Sequence, residues 1–291
     1  MGRPRQFKIG LGALVSIVGD DEQRWERGVA LALAQEPECV EVWVEHWRGN
    51  RWLIEHRLKR LKKLLAGLEI ILHAPFLWTS LVTPTEPVRR YTLEELRATL
   101  ELGEELGSRG VTVHGGLFQA HYLRPEASAK AIIVENLQEL LPLAQRAGQF
   151  LAVENLPPAG GLPRSMAYPS RCGDLVEISS LVPGVKATLD IGHALQNNEA
   201  PVESLPHLLP ILANIHLHNC NAAGQAHQPL NAGVLELQAL LRTLLEREYS
   251  GYLTLEVFDP NEDKRSIRNS HELLSRSLAA LTEGTQDLPV G

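Results

Sequence analysis

Short apolar runs of strand length alternate along the chain with longer stretches of helical period. The runs at 7–14 (FKIGLGAL), 39–46 (CVEVWVEH), 69–76 (EIILHAPF), 111–116 (VTVHGG), 150–156 (FLAVENL), 185–194 (VKATLDIGHA), 214–220 (NIHLHNC) and 252–258 (YLTLEVF) read as eight strands. Helical patterns follow them: one starting near Glu22, one over 52–65, one opening at TLEEL, then 126–147, 172–182, 201–212, 234–248 and 264–282. At TLEEL the pair Thr92 and Glu95 has the spacing of a capping box, which predicts a helix start there. Eight strands alternating with helices in 291 residues predict an α/β chain folded as a single (β/α)8 TIM barrel over 1–283, with 284–291 a flexible tail. The rival doubly wound sheet calls for a glycine-rich phosphate turn, and GLGALVSIVG (10–19) contains no G-x-G-x-x-G opening a helix. The Pro- and Gly-rich stretch 155–171 is long for a connection and is a candidate lid or substrate loop.

Composition narrows the class. The chain is 44% hydrophobic and 22% charged with a formal net charge of -7, an ordinary globular balance with no global pull towards nucleic acid. The expected partner is therefore a small molecule, with neither nucleic acid nor a membrane expected and a homo-oligomer left open. Cys39, Cys172 and Cys220 are odd in number and form no CxxC, which fits a reducing, cytoplasmic setting. The N-terminus resembles a secretory leader, with Arg3, Arg5 and Lys8 before an apolar run. It lacks a small-residue cleavage site and runs into Asp20, Asp21 and Glu22, so it is read as the first strand.

The chemistry lies at the strand ends. His73 ends the third strand, His114 the fourth, Glu154 the fifth and Asp190 the sixth, with His193 just beyond; His216 and Glu256 lie near the ends of the seventh and eighth. In a barrel these ends open onto one face. Imidazoles and carboxylates together form a ligand set for Zn, Mn, Co or Fe(II), and carboxylate-rich subsets suit Mg. Each residue also has an ordinary structural use; Asp190, for one, could cap the helix after it. Several buried acids and histidines converging without a cation would be costly. His218, one alternation from His216, could share its face of the strand, and His46 could line the basin. Phe76, Trp78 and His218 are candidate walls of a substrate pocket and His121 is a weaker candidate, whereas Trp43 and Trp47 read as packing and His56, His207 and His271 as solvated on helix patterns.

In their order, LHAPF, VHGG, AVENLP, LDIGHA, NIHLHN, HQPLNAG and LTLEVF resemble the xylose isomerase-like TIM barrels, a superfamily of sugar-phosphate isomerases and epimerases, ketose 3-epimerases and type IV AP endonucleases. The resemblance implies one divalent metal, Mn2+ or Zn2+ first and Co2+ or Mg2+ as alternatives, on Glu154, Asp190, His216 and Glu256. It makes the two glutamates the acid/base pair and His193 a substrate contact. The endonuclease branch implies a second metal on His73, His114 and Glu154, and a third near His227. There Gln225 stands where that branch has Asp, Asn219 also replaces Asp, and Ala222 occupies the place of an epimerase Arg. The implied activity is proton abstraction next to a metal-bound carbonyl of a sugar or sugar phosphate. The alternative is a multinuclear zinc hydrolase of phosphodiester or amide bonds, against which no Lys- or Arg-rich loop stands at the expected barrel mouth.

Overall fold

The computed structural model describes residues 5–16, 22–45, 51–119, 125–159, 165–258 and 264–283. His46, Trp47, His121 and the tail 284–291 lie outside the described residues. Among the described residues the strands are β1 (Lys8–Ser16), β2 (Cys39–Trp43), β3 (Glu69–His73), β4 (Gly110–His114), β5 (Gly116–Gln119), β6 (Phe150–Glu154), β7 (Ser165–Tyr168), β8 (Lys186–Asp190), β9 (Leu212–Leu217) and β10 (Tyr252–Leu255). The helices are α1 (Glu22–Leu33), α2 (Arg51–Leu64), α3 (Glu86–Leu106), α4 (Pro125–Arg146), α5 (Cys172–Leu181), α6 (Ile191–Gln196), α7 (Pro201–Leu208), α8 (Leu237–Glu246) and α9 (Arg265–Glu283). Eight strands close into a parallel barrel in the order β1-β10-β9-β8-β6-β4-β3-β2. This is the predicted TIM barrel. None of the described helices is long and apolar enough to cross a membrane.

Alternation along each strand sorts the side chains into two buried environments. One set packs outward on the helices: Val40 and Val42, Ile70 and Leu72, Val111 and Val113, Leu151 and Val153 all belong to the main hydrophobic core. The other set fills the barrel, and it is unusually polar. Thr112 on β4 and Thr188 on β8 share a hydrogen bond of 3.0 Å although β6 lies between their strands, so the bond crosses the interior. Asn214 on β9 accepts from Thr254 at 2.8 Å and donates to Glu41 on β2 at 3.3 Å. Small residues on β1 make room for this column: a Cβ on Gly10 or Gly12 would stand 3.0 or 3.2 Å from Thr254.

Two local expectations are corrected. The third helix begins at Glu86, after Thr85 and with Pro87 in its first turn, not at Thr92. Thr92 and Glu95 are buried in mid-helix, where the Thr92 hydroxyl accepts the amide of Ser80 at 3.0 Å and so fastens the loop after β3. The stretch 155–171 is not all loop. Its β7 segment pairs antiparallel with β5, from Gly116↔Tyr168 to Gln119↔Ser165, laying a small two-stranded sheet beside the barrel mouth.

Candidate metal centre

Glu154 and Asp190 end β6 and β8, His216 is the last residue but one of β9 and Glu256 follows β10, four successive barrel strands, and each offers a ligand atom within 4.8 Å of the others. All four are buried. His216 decides how the group is read. Its Nε2 lies 2.8 Å from Oε2 of Glu41, a carboxylate that can only accept, so Nε2 carries the hydrogen. That leaves Nδ1 facing three carboxylates, at 3.2 Å from Glu154, 3.3 Å from Glu256 and 3.9 Å from Asp190. Those separations fall within ion-pair range, yet Nδ1 makes no aligned hydrogen bond to any of the three. It points into the space between them, as a ligand atom does. Without a cation a proton must serve there: burial disfavours charge on His216, but Glu41, Glu256 and Glu154 outweigh it and raise its pKa well above the usual value. The donor set therefore fits one divalent cation, whose charge would replace that proton.

The carboxylates differ in how they are held. Burial raises the proton affinity of Glu154, but His216 and His114 more than offset this and hold it well below the usual carboxylate range. Glu256 is pushed up to about 7, first by burial and then, against the pull of His216, by Glu154 and Asp190.

Asp190 is a crossing point of hydrogen bonds. One oxygen accepts the backbone N–H of His193 at 2.6 Å and so caps α6; the other accepts Nε2–H of His218 at 2.8 Å. Asn155 holds the Asp190 peptide from both sides, accepting its N–H at 2.7 Å and donating to its carbonyl at 2.9 Å. The same Asn155 offers its own carbonyl to Nδ1 of His193 at 3.1 Å. Gly192 admits this arrangement, since a Cβ there would overlap the ring of His218. In LDIGHA the ordinary role of Asp190 as a helix cap and its aim at the site coexist, through different oxygens.

Two further groups of potential ligands flank the first. His73, His114 and Glu154 form one. Its Nε2 atoms reach Oε2 of Glu154 at 3.3 and 3.1 Å, while Nδ1–H of His73 is committed to the Ala74 carbonyl at 3.0 Å. Burial keeps His114 below the usual value, hence neutral and able to donate. His193, His218 and His227 form the other. Both nitrogens of His218 are engaged there, Nε2 with Asp190 and Nδ1 with the backbone N–H of His227 at 2.8 Å. Among the described residues, the first group alone leaves a buried imidazole nitrogen without a partner.

A cavity of about 830 Å³ opens above these residues. Of the four donors only Glu154 and Glu256 reach its wall; Asp190 and His216 are sealed behind. His73, His114, His193 and His227 also line it, as do Phe76 and Trp78. His218 was expected on that wall and is instead wholly buried behind Asp190. His227 stacks on Phe258 with ring centroids 3.8 Å apart and gives Nδ1–H to the Glu256 carbonyl at 3.1 Å. Burial, then His218, pushes its pKa down to about 3, so it faces the cavity neutral. The sequence reading missed Glu41 and Asn155. Asn219 replaces an expected Asp because it needs both ends of an amide: Oδ1 accepts from Cys220 and Leu235 at 2.9 Å, and Nδ2 donates to the Leu230 carbonyl at 3.0 Å.

A family model described as xylose isomerase-like TIM barrel matches residues 29–281. The chain belongs to this family. An uncharacterised protein of Methanocaldococcus jannaschii is 27% identical over 247 residues, covering 84% of this chain and 82% of its own. Fructoselysine 3-epimerase of Escherichia coli O157:H7 is 26% identical over 174 residues, 59% of this chain and 61% of that enzyme. Among solved structures, a D-tagatose 3-epimerase-like protein superposes with a TM-score of 0.78 at 25% identity, covering 96% of this chain and 99% of its own. L-ribulose 3-epimerase superposes at 0.75 with 15% identity, over 97% and 100%, and speaks for the fold alone.

Proposed function

We propose that this chain is a divalent-metal-dependent epimerase or isomerase of a sugar, sugar derivative or related hydroxy-carbonyl compound. One observation carries the reading: of four converging donors, the two glutamates alone border both the cation position and the cavity. A cation held by Glu154, Asp190, His216 and Glu256 would supply Lewis-acid polarisation of a carbonyl and its neighbouring hydroxyl. Mn2+ and Zn2+ suit this donor set best, with Co2+ and Mg2+ as alternatives. Glu154 and Glu256 lie three strands apart round the barrel and so flank a bound substrate. One takes the proton next to the carbonyl and the other returns a proton to the opposite face, each step contributing on the order of 10²- to 10⁴-fold. His193, with Nδ1 fixed on Asn155, offers Nε2 to a substrate hydroxyl. Behind the centre, Glu41 fixes the tautomer and orientation of His216. The names of the epimerases above support the same reaction class.

A multinuclear hydrolase is the second reading, favoured by the group His73, His114 and Glu154. Against it, His114 already donates to Glu154, and no Lys or Arg is among the described residues lining the cavity. Three buried free thiols support a reducing compartment. The test is metal content per chain together with solvent-deuterium incorporation beside the carbonyl of a ketose panel. About one Mn, Zn, Co or Mg per chain is expected, with exchange abolished in both Glu154→Gln and Glu256→Gln. Two or more Zn per chain, one of them lost in His114→Ala, with phosphodiester or amide cleavage and no exchange, would refute it.

A further inference from the structure

The cavity is built in two chemically distinct halves. Its floor holds every ionisable lining residue: His73, His114, Glu154, His193, His227 and Glu256. Its rim is apolar. Among the described residues nine large hydrophobic side chains are exposed, and five of them line this one cavity: Leu77, Trp78, Val88, Leu117 and Phe258. Leu77, Trp78 and Leu117 are more than half exposed, at 60%, 65% and 53%. They come from separate segments, the loop after β3, helix α3, strand β5 and the stretch after β10. Contiguous exposed apolar surface of this kind marks a binding site.

We propose that the substrate is a hydroxy-carbonyl sugar carrying an uncharged aryl or alkyl substituent, with its sugar end at the two glutamates and the substituent against Leu77, Trp78, Leu117 and Phe258. The inference rests on the epimerase reading for the sugar end alone. Three observations select this occupant. The apolar rim is continuous with the floor, so one molecule spans both. The cavity, at about 830 Å³, lies in the upper part of the range that holds drug-sized ligands, and a free six-carbon sugar fills little of it. A phosphate would meet no Lys or Arg among the described lining residues, and among those residues the only carboxylates are Glu154 and Glu256 on the floor, while Glu45 beside the rim already accepts the backbone N–H groups of Phe76 and Leu77. The rim is also rigidly backed: Phe258 lies flat on His227 and edge-on to Trp43, which in turn meets Phe76 edge-on.

Calorimetry on the metal-loaded protein tests this with three ligands sharing the C2 carbonyl and C3 hydroxyl: a ketohexose, its 1-anilino-1-deoxy derivative and its 1-phosphate. The anilino compound should bind on the order of tenfold more tightly than the free sugar, and the phosphate no more tightly. In Trp78→Ala, and separately in Leu117→Ser, the advantage of the anilino compound should fall to within about threefold. Equal affinities in the unmodified protein, or tightest binding of the phosphate, would overturn the proposal. So would an unchanged preference in both variants, and a lower mass of those variants in solution would then make the rim a contact between copies. Deuterium exchange on the same ligands separates the two readings. Tight anilino binding without exchange on any ligand refutes the epimerase chemistry and leaves the ligand class standing.

Discussion

Glu41 is buried behind His216 and does not line the cavity, so its replacement isolates the support of the metal centre. Its Oε2 accepts Nε2–H of His216 at 2.8 Å and Nδ2–H of Asn214 at 3.3 Å, while its Oε1 has no partner. Both Glu41 and His216 are fully buried. Burial opposes the charge on Glu41, but His216 overcomes it and keeps the carboxyl ionised. In Glu41→Gln the amide oxygen can take the place of Oε2 and accept both hydrogen bonds, so the ring keeps its orientation. What is lost is the negative charge behind the imidazole. Outer carboxylates of this kind are worth about 10- to 100-fold in metal affinity, or about 1.4 to 2.7 kcal/mol. Folding should change less: an unsatisfied amide N–H costs about 1 to 3 kcal/mol, and removing a buried charge offsets part of that. The assay is competitive titration of metal-free protein against a chromophoric chelator with Mn2+ and Zn2+, with circular dichroism as the folding control. Unchanged affinity in a folded variant would refute the reasoning, because the cation could not then be sitting on His216.

Other perturbations address separate parts of the site. Gly192→Ala drives a methyl group into His218 and breaks its bond to Asp190; a stability loss of about 2 to 4 kcal/mol is expected in thermal unfolding, together with weaker metal binding. An unshifted midpoint would sink that account. Asn219→Asp sets a carboxylate oxygen against the Leu230 carbonyl, and urea unfolding should register about 2 to 3 kcal/mol with metal content per chain unchanged. A gain of metal would mean instead that position 219 faces a cation site. In metal-free protein Glu256 is pushed up to about 7, so below that pH a proton must leave before a cation is bound. The cation also replaces the His216 proton, so apparent metal affinity should fall by about a hundredfold per pH unit below about 7 and by about tenfold per unit just above it, with proton release visible in calorimetry run in two buffers. Affinity that is flat between about pH 6 and about pH 7.5 would contradict this.

The barrel was legible because its strands are buried on both sides and its helices are not, so the two periods separate cleanly along the chain. The histidines and acids at strand ends were legible for a related reason: polar groups at the close of an apolar run need a destination. Glu41 obeys the same logic, yet inside CVEVWVEH it passes for the polar half of a strand with one wet face. Only closure of the barrel makes position 41 an interior one. Asn155 was hidden beside Glu154, since its work is to hold the peptide of a residue 35 positions away. Thr92 and Glu95 misled because a buried Thr serving a neighbouring loop has the same local pattern as a helix cap. The β5–β7 ladder joins segments far apart in the chain through short, mixed stretches that carry no periodic signal of their own.

That ladder has a mechanical consequence. β5 carries Leu117, and β7 is covalently continuous with the chain that leaves the barrel through Leu156, Pro157 and Pro158. Leu156 is tied again by its N–H to the Pro169 carbonyl at 2.8 Å, and Leu81 by its N–H to the Gly115 carbonyl. The walls that follow β3, β4 and β6 are thereby stitched into one plate. A ligand that pushes on Leu117 must displace the proline wall with it, so the mouth on this side widens or narrows as a single body, and its amides should exchange with solvent at a common rate rather than loop by loop.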